Sequence, residues 1–156
     1  MKELEIYIDG ASKGNPGPSA IGVIICQEGN VIKNISSSIG RATNNVAEYT
    51  ALIYALEEAL IMRADSVKIN TDSQLLACQL NGEYKVKNPH IRELYNKATR
   101  LISALKEFNI RNIPREENVG ADKLASKAIK DGMNFDSRDV AALHANAKRK
   151  VRAPQE

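Results

Sequence analysis

The hydrophobic period first changes near residue 45, after three strand-like runs, and that change limits the folds open to this chain. Leu4-Glu5-Ile6-Tyr7-Ile8 stops at Asp9-Gly10, and Ala20 to Cys26 and Val31 to Ile39 flank Gln27-Glu28-Gly29-Asn30, which has hairpin-turn chemistry. Between the first two runs, Gly14-Asn15-Pro16-Gly17-Pro18 is too rich in Gly and Pro for regular structure and reads as a tight loop. From Asn45 onward Tyr49, Leu52, Ile53, Leu56 and Leu60 fall at helical spacings, with Thr43 or Asn44 as N-cap and an end near Met62. Ser66 to Thr71 reads as a strand and Asp72 to Leu80 as a short helix stopped at Asn81-Gly82. Pro89 to Phe108 reads as a long helix and Asn109 to Ile113 as a strand ended by Pro114. Asn118 to Lys130 is a last helix, closed by Gly132. The order β-β-β-α-β-α-α-β-α predicts an α/β domain, a mixed sheet with helices packed on it.

At 156 residues the chain fits one domain, and 43% hydrophobic with 26% charged residues is the balance of a folded globular protein. The domain is expected over residues 1–132, with 133–156 as a C-terminal extension, partly helical over Val140 to Lys150 or disordered. Net charge is +3, but Lys148, Arg149, Lys150 and Arg152 against Asp139 and Glu156 supply +2 of it, leaving residues 1–138 at +1. That balance neither announces nor excludes a nucleic-acid binder. No apolar run approaches the roughly 20 residues of a membrane span. Lys2, Glu3 and Glu5 are unlike the start of a secretory signal, so a cytoplasmic, membrane-free monomer is expected. Cys26 and Cys78 are far apart and read as reduced, buried, small apolar side chains.

Four carboxylates carry the chemistry. Asp9 is expected to end the first strand and Asp72 to follow the fourth, and in an open sheet ligands collect at strand ends where the connectivity changes. Taken singly, each is better explained as a turn or capping aspartate. Glu48 shares a helix stripe with Leu52 and Leu56, which aims a carboxylate at the core, although an early helical position also welcomes negative charge. Asp122, early in the last helix, has the same alternative. Together the four are harder to dismiss, since carboxylates gathered without balancing Lys or Arg are costly unless cations bind. Oxygen ligands in that number select hard ions such as Mg²⁺ or Mn²⁺.

These residues fall in four ordered motifs: Tyr7-Ile8-Asp9-Gly10-Ala11-Ser12-Lys13-Gly14-Asn15-Pro16-Gly17-Pro18, Thr43-Asn44-Asn45-Val46-Ala47-Glu48, Thr71-Asp72-Ser73-Gln74, and Asn118-Val119-Gly120-Ala121-Asp122-Lys123-Leu124-Ala125. Over about residues 4–131 the chain resembles the type 1 ribonucleases H. The resemblance implies their fold, a mixed five-stranded sheet of three antiparallel strands then two parallel ones, flanked by helices. It also implies an endonuclease that cuts the RNA strand of RNA–DNA hybrids, with Asp9, Glu48, Asp72 and Asp122 as ligands of two Mg²⁺ ions, Mn²⁺ being possible. Two such ions about 4 Å apart can activate a water and stabilise the leaving oxygen, giving 5′-phosphate and 3′-hydroxyl ends. By similarity Asp9 bridges both ions, Asp122 helps hold the water-activating one, and Glu48 and Asp72 hold the other. Gly10, Asn15, Asn44, Asn45 and Gln74 resemble minor-groove contacts to RNA 2′-hydroxyls. Arg41, Thr43 and Asn88 resemble a pocket for a DNA phosphate.

Two departures stand out. The loop Ile113-Pro114-Arg115-Glu116-Glu117-Asn118 lacks the histidine many relatives carry before the last aspartate, so either Glu116 or Glu117 takes over or turnover is slower. His90 and His144 read as surface histidines. The chain has no Trp, and Gly82-Glu83-Tyr84-Lys85-Val86-Lys87 stands where some relatives have a basic, tryptophan-bearing protrusion. A binding module with little nuclease activity is the alternative reading, and DNA nicking on the same fold a third.

Overall fold

The computed structural model describes residues 1–133. The strands are β1 (Glu3–Ser12), β2 (Gly17–Gln27), β3 (Asn30–Ala42), β4 (Ser66–Thr71) and β5 (Glu107–Asn112). The helices are α1 (Asn44–Ile61), α2 (Gln74–Leu80), α3 (Pro89–Ile102) and α4 (Val119–Met133), with the 3₁₀ turn Arg115–Glu117 before α4. The expected stretch Val140 to Lys150 and the basic residues beyond it lie outside the described residues. The sheet order is β3-β2-β1-β4-β5. β1, β2 and β3 pair antiparallel, while β4 and β5 run parallel to β1 and to each other, as the family resemblance implies. The β2–β3 hairpin turns where expected, with Glu28 at φ 52° and Gly29 at φ 81°, both in the left-handed region that such turns use.

Alternation along β1 sorts its side chains to two faces. Leu4, Ile6 and Ile8 are buried in one core with Leu52 and Leu56 of α1 and Ile69 of β4. Two glycines let helices come close on opposite faces. A Cβ on Gly10 would lie 2.2 Å from the Ala47 carbonyl carbon of α1, and one on Gly22 would lie 2.1 Å from the Ala121 carbonyl oxygen of α4. Thr43 is the N-cap of α1, its hydroxyl accepting from the Val46 N–H at 3.2 Å.

Several boundaries differ from the sequence reading. β1 does not stop at Asp9-Gly10 but runs to Ser12, because β2 continues to pair with it up to Ser12 opposite Ser19. The third helix ends at Ile102, not Phe108: Phe108 belongs with Ile110 to the alternating inward positions of β5, which therefore starts at Glu107, before the expected Asn109. Gly132 lies within α4 instead of closing it, and α2 starts at Gln74 because Ser73, not Asp72, is its cap. Both cysteines are free, but only half-buried. Cys26 sits near the open end of the β1–β2 ladder opposite Glu5, and Cys78 lies on a seven-residue helix covered on one side.

Candidate metal centre

The register of the central strands brings the first two carboxylates together. The parallel β1–β4 ladder ends at Ile8 opposite Thr71, so Asp9 and Asp72 are the next residues on adjacent strands. Glu48 arrives from α1, which Gly10 allows to sit against the strand, and the Gly10 N–H donates to Glu48 Oε1 at 2.9 Å. Asp9, Glu48 and Asp72 each offer a carboxylate oxygen within 4.8 Å of the others. Asp122 lies outside that group of three, but its charge is among the causes that raise the Asp9 carboxyl. It reaches there because α4 packs on Gly22, the residue opposite Asp9 across the β1–β2 ladder. Asn118, 1% exposed, ties the start of α4 to β1 by donating its Nδ2 to the Ile8 carbonyl at 2.8 Å.

The electrostatics are those of crowded acids. Asp9 is 5% exposed. Burial first, then the charges of Asp72 and Asp122, push its carboxyl up to about 8, with Arg115 pulling the other way. Burial, and next the charge of Asp9, raise Glu48 well above the ordinary carboxylate range, opposed by the Gly10 N–H. Carboxyls crowded at the ends of two central strands, and shifted upward by burial and by each other, concentrate negative charge that a hard divalent cation offsets, and an all-oxygen donor set suits one. The residues present therefore fit a divalent metal, with Asp9, Glu48 and Asp72 as the ligand set that the geometry supplies.

A cleft of about 750 Å³ opens over them, and its lining includes Gly10, Asn15, Thr43, Asn44 and Asn45 from the expected substrate contacts. Turn-and-capping duty and cleft lining hold together there. Asn44 Oδ1 accepts from the Ser12 N–H at 2.8 Å and Asn15 Oδ1 accepts from the Asn44 N–H at 2.9 Å, which ties the β1–β2 loop to the start of α1. Asn45 Oδ1 is buried without a hydrogen-bond partner among the described residues. Gln74 is exposed at the start of α2, between the cleft residues Ser73 and Leu75. Arg41 instead lines an adjacent groove of about 470 Å³ with Lys97. Asn88 lines neither. Its Oδ1 caps α3, accepting from the N–H groups of His90 at 2.8 Å and Ile91 at 3.0 Å.

Sequence reasoning missed three residues here. Gly22 had one signal, a glycine inside a strand pattern, which marks close approach of another backbone. Asn118 was seen only as part of a motif. Arg115 was passed over in favour of Glu116 and Glu117, yet the two glutamates are exposed and outside the cleft lining, whereas Arg115 lines it. His90 is exposed, with Nδ1 3.8 Å from Glu93, as a surface histidine should be, and His144 is outside the described residues.

Comparison with known proteins agrees with this geometry. Residues 7–128 match the family model described as "Reverse transcriptase-like". The chain is 42% identical over 129 residues to "Ribonuclease HI" of Halobacterium salinarum, spanning 82% of this chain and 65% of that protein. It is 40% identical over 129 residues to a "Bifunctional protein" of Mycobacterium tuberculosis, spanning 81% of this chain and 35% of that one. The chain thus covers less than two thirds of either relative's length. Among solved structures, RNase H1 from Halobacterium salinarum superposes with a TM-score of 0.81 at 40% identity, over 83% of this chain and 98% of that one. LC11-RNase H1, solved in complex with RNA/DNA hybrid, gives 0.79 at 42% identity over 83% and 99%. With the motifs, the topology and the carboxylate cluster all in agreement, the chain belongs to the type 1 ribonuclease H family.

Proposed function

We propose that this chain is a metal-dependent endoribonuclease that hydrolyses the RNA strand of RNA–DNA hybrids, leaving 5′-phosphate and 3′-hydroxyl ends. The observation that carries the reading is the juxtaposition of Asp9, Glu48 and Asp72 within 4.8 Å at the floor of a cleft lined by Asn15, Asn44 and Asn45. Asp9, Glu48, Asp72 and Asp122 would hold the metal, Mg²⁺ by preference and two ions when substrate is bound. Bound metal supplies a water acidified for attack and charge to stabilise the leaving oxygen. The chain's own residues do the rest. Glu48 is fixed by the Gly10 N–H, Asp122 is fixed beside Asp9 by the anchoring of α4, and the Asn15–Asn44 tie holds the cleft wall in one shape before substrate arrives. Gly10, Asn15, Asn44, Asn45 and Gln74 would read 2′-hydroxyls in the minor groove. Arg41, Thr43 and Asn88 would meet a phosphate of the DNA strand, and Lys85, Lys87 and Arg92, which line a further groove with Tyr84, would add charge where a longer protrusion is missing.

The test is incubation of labelled RNA–DNA hybrid, RNA duplex and DNA duplex with the protein and Mg²⁺ or Mn²⁺. Cleavage of RNA in the hybrid with survival of both homoduplexes is expected. Equal cutting of the DNA duplex overturns the reading, and binding without cleavage supports the module without nuclease activity.

A further inference from the structure

Among the described residues, the carboxylate cleft has one basic residue in its lining, Arg115. It stands on the three-residue 3₁₀ turn between β5 and α4. Its side chain is 79% exposed, so packing does not fix it, yet its Nη2 lies 3.6 Å from Asp122 Oδ1. Asp9 and Glu48 feel the same charge, since Arg115 opposes the upward shift of both.

A guanidinium and a divalent cation compete for the same thing, the oxygens of a carboxylate. We propose that Arg115 is a tethered counter-ion of the metal-free cleft, pairing with Asp122 through a contact that an incoming metal ion must displace. The inference rests on the reading of this cleft as a metal site. An exposed ion pair of this length is weak. Weakness suits the role: a tight pair would shut the metal out, and no pair would leave the acids to repel one another. By linkage, a group that binds the metal-free state and yields to the metal lowers the apparent metal affinity by its own pairing strength. For an exposed pair close to a divalent charge that amounts to about three- to tenfold.

The experiment is calorimetric titration of the full chain with Mn²⁺, without nucleic acid, on the wild type, Arg115→Gln, Arg115→Met, Arg115→Lys, Asp122→Asn and the Arg115→Gln/Asp122→Asn pair. Melting in chelator verifies that each is folded. Both neutral variants are expected to bind Mn²⁺ about three- to tenfold more tightly than wild type, and Arg115→Lys to match wild type within about twofold. In the Asp122→Asn background the gain from Arg115→Gln should shrink to twofold or less. Unchanged or weaker affinity in the neutral variants overturns the proposal while leaving the metal reading intact. So does a full gain in the Asp122→Asn background, which would make Arg115 a general charge on the cleft. Failure of the wild type to take up Mn²⁺ at millimolar concentration overturns the metal reading and this proposal together.

Discussion

At the scale of the residue, Asp9 concentrates the conflict between folding and function. Its carboxyl is pushed up to about 8, against about 3.9 in an unfolded chain. Between those values the native protein holds a proton that the unfolded chain has released. The stability contributed is therefore fully present below about pH 4 and is lost as pH rises through about 8. Metal-free protein should melt at progressively lower temperature across that window. Asp9→Asn keeps the shape without the charge, so its melting curve in chelator should be flatter with pH and lie above wild type at pH 8.5. The same variant should lose turnover on hybrid, since the ligand at the centre of the cluster is gone. Thermal scans in chelator at pH 5 and pH 8.5 check the first claim. An identical pH dependence in both proteins would show that Asp9 is already ionised in the fold.

At the scale of the element, the centre depends on how closely two helices approach the sheet. On Gly22 the limit is backbone: a Cβ there would meet the Ala121 carbonyl oxygen at 2.1 Å and the Ala125 nitrogen at 2.8 Å, neither of which a rotamer change can move. Gly22→Ala should therefore push α4 off the sheet, costing about 1–3 kcal/mol in denaturant unfolding. Because the displaced helix carries Asp122, turnover should fall more than stability does. Asn118→Ala removes the buried bond to the Ile8 carbonyl at 2.8 Å, at a cost of about 0.5–1.5 kcal/mol. The two changes loosen the same contact, α4 on β1 and β2, so their combined cost should be less than the sum of the separate ones. Strict additivity in a double-mutant cycle would mean that glycine and asparagine secure α4 independently.

At the scale of the whole molecule, the proposed substrate is a polyanion while residues 1–138 carry a net charge of only +1, so the cations that would hold it have to be located. The described residues place cations in separate grooves, Arg41 with Lys97 and Lys85 with Lys87 and Arg92. The sequence adds Lys148, Arg149, Lys150 and Arg152 in the extension. Each phosphate contact contributes about one unit to the slope of log affinity against log salt. Removal of residues 139–156 should leave cleavage at saturating substrate unchanged, weaken hybrid binding at low salt and flatten that slope by up to about four units. Filter binding across a salt series measures this. An unchanged affinity and slope would assign the electrostatic anchor to Lys85 and Lys87.

The element order, the hairpin at Glu28-Gly29, the cap at residue 43 or 44, and which acids to watch are legible along the chain, because periodicity, turn chemistry and motif spacing are local properties. The sequence also carried the family resemblance, which is a pattern of residue types in order. Its errors fell where local signals compete. Phe108 suits a helix as well as a strand until β4 offers hydrogen bonds, and Asp9-Gly10 looks like a turn until β2 pairs past it. The tertiary structure alone decided that Ile8 faces Thr71, which sets Asp9 beside Asp72, and that α1 and α4 touch the sheet through Gly10 and Gly22. It alone put Arg115 rather than Glu116 or Glu117 at the cleft. Register and helix approach arise from contacts between residues far apart in sequence, and no window along the chain contains them.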